Sequence, residues 1–270
     1  MKEFIKNWLK PRGTILYKYF PLKENNQDDL LRVRNVVEKN ELYFSRLADF
    51  NDPFDCCPIY DAPPKDFQYW HAQLSKSGNY AVKDLEEVKN NWLENRITSD
   101  KLVESEKSKM QKAINEELGI CCFSEKPDSL LMWAHYASFH TGVCFEFART
   151  PNTPFFGEAL QVFYKPNRPK VNLFKRKKDA INDAFLTKSS DWKYESEYRI
   201  IGPNRQPGTA YGFPGECLVG VILGAKMKQE NENILKRILR NRNNNPISIK
   251  RAQLDDIAYK INIESSDSAL

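Results

Sequence analysis

What this chain lacks narrows its chemistry first. Its 270 residues contain no G-x-x-x-x-G-K-S/T loop, no G-x-G-x-x-G turn, no G-x-S-x-G elbow and no H-E-x-x-H helix. These absences count against P-loop nucleotide hydrolysis, a Rossmann dehydrogenase, an α/β-hydrolase and a zinc protease. Histidine is scarce: His71, His135 and His140 are the whole supply, too scattered for a metal site, and no metal is expected. The cysteines, Cys56, Cys57, Cys121, Cys122, Cys144 and Cys217, form no C-x-x-C pair and are too sparse for a disulfide framework. Reduced, mostly buried thiols are the reading. No apolar run approaches the ~18 residues of a membrane span. The opening MKEFIKNWLKPRG has no uninterrupted apolar stretch and no small-residue cleavage site, so it reads as a short amphipathic docking helix of a cytoplasmic protein that does not touch a membrane. Acid is missing from one segment: Lys165 to Lys178 carries Lys165, Arg168, Lys170, Lys175, Arg176, Lys177 and Lys178 and neither Asp nor Glu. Such a run attracts polyanions, which makes nucleic acid a candidate partner.

What is present is enough for a core. Apolar residues make up 41% and aromatics 12% of the chain, while the mean hydropathy of -0.64 marks a strongly solvated surface. Thr14 to Phe20 alternates as a strand. Leu30, Val33, Val36 and Val37 predict a helix ending at Asn40, and Leu42 to Ser45 a second strand. FNDPFD, residues 50–55, reads as a tight turn in which Asn51 and Asp52 bond their own backbone or line a polar pocket. Residues 58–119 differ: Lys and Glu are dense and Leu85, Val88, Trp92, Val103, Met110, Ile114 and Leu118 fall at helical intervals. We read 62–118 as a helical insertion that caps the site or recognises a partner protein. The β core resumes at Gly119 to Ser124, followed by a helix over SLLMWAHYASFHTG in which Trp133, His135 and Tyr136 are placed to wall an aromatic pocket. Further strands are predicted over Val143 to Phe147, Leu160 to Tyr164, Leu218 to Leu223, Ile247 to Ala252 and Ile257 to Ile263, with helices near Asp179 to Phe185 and Glu230 to Arg240. The fold class is α+β: one domain over residues 1–270 with a mixed, mostly antiparallel split β core, flanking helices and the insertion.

The chemistry centres on KSSDWKYESEYRII, residues 188–201. Read as a strand, it places Trp192, Tyr194, Ser196 and Tyr198 on one face and Glu195, Glu197 and Arg199 on the other. Arg199 beside Glu197 would orient that carboxylate, and Lys188 upstream adds a second cation. The same pattern also describes a surface Glu–Arg ladder, worth only about 0–1 kcal/mol.

The segments LYKY (16–19), LYFS (42–45), FNDPFD, CCFS (121–124), LMWAHYASFHTGVCFEF (131–147), WKYESEYRII (192–201) and VGVILGAKM (219–227) resemble the bacterial domain-of-unknown-function 2971 family. The opening, a strand with aromatic and basic residues, a helix ending in Asn, a second strand ending in Ser and an Asn-Asp turn, is more distantly similar to ADP-ribosyltransferase-like toxins. That resemblance implies a split β core binding NAD. It assigns Tyr17, Lys18 or Tyr19 to the adenosine side, Tyr43 or Ser45 to the nicotinamide pocket and Glu197 or Glu195 to the nicotinamide ribose. The implied protein is an NAD-consuming transferase or glycohydrolase acting as a toxin or phage-defence effector, with a nucleic-acid or protein acceptor. The observation that bears most on the assignment is whether Tyr17, Tyr43 and Glu197 meet in one cleft, and the assignment is to be abandoned if they lie on opposite sides of the sheet. Two rivals come from other classes. A metal-dependent nuclease would use Asp52, Asp55, Glu195 or Glu197, and a non-catalytic sensing or interaction module would pair Glu197 with Arg199.

Overall fold

The computed structural model describes residues 14–61, 71–72, 75–76, 82–93, 104, 108, 112, 115–150, 152–172, 184–202, 205–243 and 245–265. The expected docking helix at the N-terminus, most of the expected helix near Asp179 and the cations Lys175, Arg176, Lys177 and Lys178 lie outside them.

The alternating TILYKYF forms β1 (Thr14–Phe20). Helix α1 (Gln27–Arg34) starts where the Asn26 side chain accepts the Asp28 and Asp29 amides, with both acids in the first turn. It widens into a π-turn over Asn35–Lys39 and stops at Asn40, whose φ of 55° is left-handed. There follow β2 (Glu41–Phe44), β3 (Ile59–Asp61), α2 (Val82–Leu93) and β4 (Gly119–Ser124). Helix α3 (Leu130–Tyr136) is capped by the Ser129 hydroxyl, which accepts the Met132 amide. The chain continues through β5 (Val143–Arg149), β6 (Leu160–Gln161), β7 (Phe163–Lys165), β8 (Lys170–Asn172) and β9 (Thr187–Ser189). It closes with β10 (Glu197–Gly202), β11 (Thr209–Gly212), β12 (Leu218–Leu223), α4 (Gln229–Arg240), β13 (Ser248–Leu254) and β14 (Ile261–Ser265).

An eight-stranded sheet runs β14-β13-β12-β5-β1-β4-β10-β6. Only the β12–β13 pair in it is parallel, so the class is α+β with a mixed, mostly antiparallel sheet, as the pattern predicts. The chain divides into two compact units, one of residues 1–45, 119–162 and 191–270, the other of residues 46–118 and 163–190.

The first unit holds the large sheet. One face carries Leu16, Phe20, Phe123, Phe145, Phe147 and Ile200, buried against Val33, Val36 and Val37 and against Leu235, Ile238 and Leu239 of α4. Each such side chain contributes about 1.5–3 kcal/mol by leaving water. Leu42 and Phe44 join this cluster from the small β2–β11 ribbon. The opposite face carries Tyr19, Cys144, Ile222, Ala252 and Ile261 under Met132, Trp133 and Ala137.

The sheet is split at its middle. β1 and β4 share a single register pair, Tyr17 with Ser124, whereas the other end of β4 is bridged by Ser45 at Ile120. In the fork Lys18 Nζ donates to the Cys122 carbonyl at 2.7 Å, and it lies 5.3 Å from the Phe123 ring centroid. The lysine occupies a backbone acceptor that the parting strands leave without a ladder partner.

Three expected strands are corrected. LQVFY is two strands: β6 pairs with β10, and β7 pairs with β9 in the second unit, with Val162 between them donating its amide to the Glu197 carbonyl. KSSDWKYESEYRII is interrupted by a 3-10 turn over Ser190–Glu195 and by Ser196 at φ 45°. Ser189, Ser190 and Asp191 are residues whose side chains compete with the ladder for backbone groups, which is why the strand breaks there. The last strand starts at Ile261, because Asp255 turns the chain by accepting the Ile257 and Ala258 amides.

The second unit contains the parallel pairs β3–β8 and β7–β9. Its turn at residues 50–57 is tied down by an ion pair between Lys188 and Asp55 at 3.3 Å, their side chains 5% and 1% exposed. α2 is one of the helical stretches described within the expected insertion, with others at 71–72, 75–76 and 115–117.

Candidate functional site

A row of residues crosses the large sheet on the face that α3 partly covers. Register pairs Gly220 with both Ser248 and Glu146, Glu146 with Tyr17, Tyr17 with Ser124, and Ser124 with Glu197. Directly opposed residues of neighbouring strands point to the same face, so Tyr17 and Glu197 flank Ser124 from either side.

Glu197 is not a surface carboxylate. Arg199, two residues on and on the same face, donates from Nε to Oε1 at 2.7 Å and from Nη2 to Oε2 at 2.9 Å. The guanidinium side chain is 0% and the carboxylate 4% exposed, which corrects the surface-ladder expectation. Glu195 reaches the site from the 3-10 turn instead of from the strand. Ser124 Oγ donates to its carbonyl at 2.6 Å, the Glu125 amide donates to the Ser196 carbonyl, and the Tyr136 hydroxyl donates to Glu195 Oε1 at 2.5 Å. Left-handed Ser196 is the joint that turns the chain between the two glutamates.

Beside Glu195 stands an aromatic series. The Tyr194 ring lies 6.0 Å from His135, inclined 34°, and 5.9 Å from Trp192, inclined 39°. Tyr194 packs toward the α3 side while Tyr198 packs against the phenylalanine cluster, so the two do not share a face. Trp133 is wholly buried, its Nε1 donating to the Pro127 carbonyl, so it supports the site and does not line it.

Beyond Tyr17, Glu146 is 3% exposed and takes Lys250 Nζ at 2.9 Å on each carboxylate oxygen. Its carboxylate fills the space over Gly220, where a Cβ would come within 2.0 Å of Oε2. Tyr17 therefore stands between two anchored carboxylates. Burial first, then Glu146, Cys144 and Asp128, push its phenol up to about 12, so it stays a hydrogen-bond donor at neutral pH.

The other predicted residues are placed as follows. Tyr19 is on the Tyr17 face, its hydroxyl donating to the Lys126 carbonyl at 2.6 Å. Lys18 points to the opposite face, into the fork. Ser45 bridges Ile120, four residues along β4 from Ser124 or about 13 Å. Tyr43 shares the Ser45 side of β2, points away from the core that Leu42 and Phe44 fill, and is 41% exposed. The structure thus joins Tyr17 to Glu197 and leaves Ser45 and Tyr43 off their row. Asn51, Asp52 and Lys188 belong to the second unit: Asn51 is exposed, Asp52 is buried with Oδ1 accepting the Phe54 amide, and Lys188 pairs with Asp55. Among the described residues no group of three or more His, Cys, Asp or Glu is placed to hold a metal ion. The six cysteines are free thiols, as expected.

Glu146, Lys250 and Ser124 were missed from sequence. Their signals were present: an acid inside VCFEF and a glycine inside LVGVIL, the latter a mark of close approach to a strand.

Among the described residues no helix is long and apolar enough to cross a membrane. Residues 132–200, the stretch from α3 to β10 that supplies Tyr136, Glu146, Glu195, Glu197 and Arg199, match a family described as "Protein of unknown function (DUF2971)". No curated protein and no solved structure matches the chain.

Proposed function

We propose that the chain binds NAD over the face shared by β1, β4 and β10 and cleaves its nicotinamide–ribose bond, either to water or to an acceptor. The observation that carries this reading is the Tyr17–Ser124–Glu197 row at the point where β1 and β4 part, with Glu195 beside it. Breaking the bond builds positive charge on the ribose, so a fixed carboxylate favours the transition state over the ground state. Arg199 fixes Glu197, Tyr136 fixes Glu195, and protonated Tyr17 offers a donor to a ribose or phosphate oxygen. Tyr194 and His135 supply the aromatic surface for a base. Such a reaction consumes NAD, the chemistry of a toxin or phage-defence effector. The reading rests on Tyr17 and the two glutamates and gives no role to Tyr43.

Nicotinamide release from NAD, followed for the parent and for Glu197→Gln, Glu195→Gln and Tyr17→Phe, tests it. Loss of orders of magnitude in one glutamate variant that still binds NAD supports the assignment. No release with any acceptor, or equal rates in all four proteins, overturns it.

A second reading draws on one observation. Glu197 spends both oxygens on a buried guanidinium, the geometry of a pair that holds a fold together. On that reading the chain is an interaction module, no protein of the series releases nicotinamide, and Glu197→Gln lowers stability alone.

A further inference from the structure

The second unit carries a surface that the NAD reading leaves unused. Phe54, at the turn of FNDPFD, is 61% exposed. Arg168 lies with its guanidinium carbon 5.5 Å from the Phe54 ring centroid. Three contacts hold that guanidinium: Nε donates to the Cys57 carbonyl at 2.7 Å, and Nη2 lies 3.2 Å from both the Pro58 carbonyl and Cys57 Sγ. These contacts hold the guanidinium in place beside the exposed ring.

The charge around it is one-sided. Among residues 46–59 and 163–172 the exposed charged side chains are Arg46, Lys165, Arg168, Lys170 and a single acid, Asp49. The acids closest in sequence to Phe54 are withdrawn: Asp52 is 6% exposed, and the Asp55 side chain is buried against Lys188. On β7, Tyr164 opposes Lys188, whose amine reaches the turn at Asp55, so the exposed Phe163 and Lys165 belong to the other strand face. Lys170 opens β8 on the far side of the turn that carries Arg168.

An exposed ring backed by a fixed guanidinium, among cations and away from carboxylates, fits a polyanion with planar groups. A duplex keeps its bases stacked and offers only its backbone to such a surface, whereas a single strand also offers base faces. We propose that this face of the second unit binds single-stranded nucleic acid, with a base on Phe54 and the backbone on Lys170, which pairs with Ile59 beside the Arg168 anchor. The proposal is independent of NAD cleavage and stands or falls without it.

The experiment is fluorescence anisotropy of labelled single-stranded 20-mers of dT and of rU with the full chain, from low to physiological salt, against a 20-base-pair duplex. The parent should bind the single strands more tightly than the duplex. Phe54→Ala should weaken single-strand binding roughly 5- to 150-fold while leaving the salt slope unchanged. Phe54→Tyr, which keeps a ring, should restore it. Lys170→Ala should flatten the slope of log affinity against log salt by about 0.7, for one lost phosphate contact. Because Phe54 is exposed, the thermal midpoint of Phe54→Ala should match that of the parent. No anisotropy change at low salt would overturn the proposal. So would equal affinities of parent and Phe54→Ala, or a duplex bound as well as the single strand, either of which would mean polyanion adsorption without stacking.

Discussion

Replacing Glu197 with Gln tests the buried pair at the edge of the site most directly. The substitution keeps the shape and removes the charge that the Arg199 guanidinium, 0% exposed, meets through Nε and Nη2. Removing one partner of a buried pair costs about 3–5 kcal/mol, because the remaining charge loses that compensation without regaining hydration. A surface pair would cost about 0–1 kcal/mol. For a folded unit of this size each kcal/mol moves the melting midpoint by roughly 2–4 °C, so the expected fall is about 6–20 °C. Differential scanning calorimetry of the parent and Glu197→Gln measures it, and the double variant Glu197→Gln with Arg199→Met should recover much of the loss. A midpoint within about 2 °C of the parent would refute the reasoning, since it would mean that water reaches Arg199. Nicotinamide release must then be read well below the variant's midpoint, so that lost activity is not lost fold.

Three further outcomes follow from other positions. Gly220→Ala should cost about 1–3 kcal/mol by urea unfolding, because its Cβ would meet Glu146 Oε2 at 2.0 Å and Ser248 Oγ at 2.5 Å and displace the carboxylate from Lys250; an unchanged midpoint would mean that Glu146 sits elsewhere. Lys18→Met should cost about 1–3 kcal/mol by leaving the Cys122 carbonyl without a donor, and amide exchange at β4 should rise with it. The Asp255 carboxyl is held down to about 2 by the Ala258 and Ile257 amides and then by Asn262. Its folded value is depressed, so its support of the hairpin turn is complete above the ordinary value near 3.9 and is lost as pH falls towards about 2. Amide exchange at Ile257 and Ala258 across that window checks this, and flat protection down to pH 2 would contradict it.

Much of the sheet was legible because its strands obey one rule. TILYKYF, VCFEF and LVGVIL alternate or run apolar in the way a covered strand must, and α1 announced itself through Val33, Val36 and Val37. The stretch around the two glutamates was not legible in the same way. Alternation assumes an unbroken strand, and Ser190 and Asp191 turn the chain before Glu195 while left-handed Ser196 turns it again. Glu197 and Arg199 were placed correctly on one face, but burial of the pair depends on α3 and on strands more than fifty residues away, which local pattern does not carry. Glu146 was overlooked for the same reason: its partner Lys250 lies 104 residues on, and the glycine that makes room for it is on a third strand.

The order in which these strands leave the ribosome sets a delay into the protein's birth. β1 ends at Phe20, and its full-length partner β5 begins at Val143. At about 5–20 residues per second, the roughly 120 residues between them take about 6–24 s to synthesise. During that time TILYKYF, an apolar and aromatic segment, lacks its full-length strand partner, the condition in which such segments find one another instead. Lys18, which in the finished protein fills the fork, is also the one charge inside that segment, and a lysine on an unpaired strand discourages association with a second copy. The same amine thus acts twice, first as a guard on the nascent chain and later as the donor that the parted strands require.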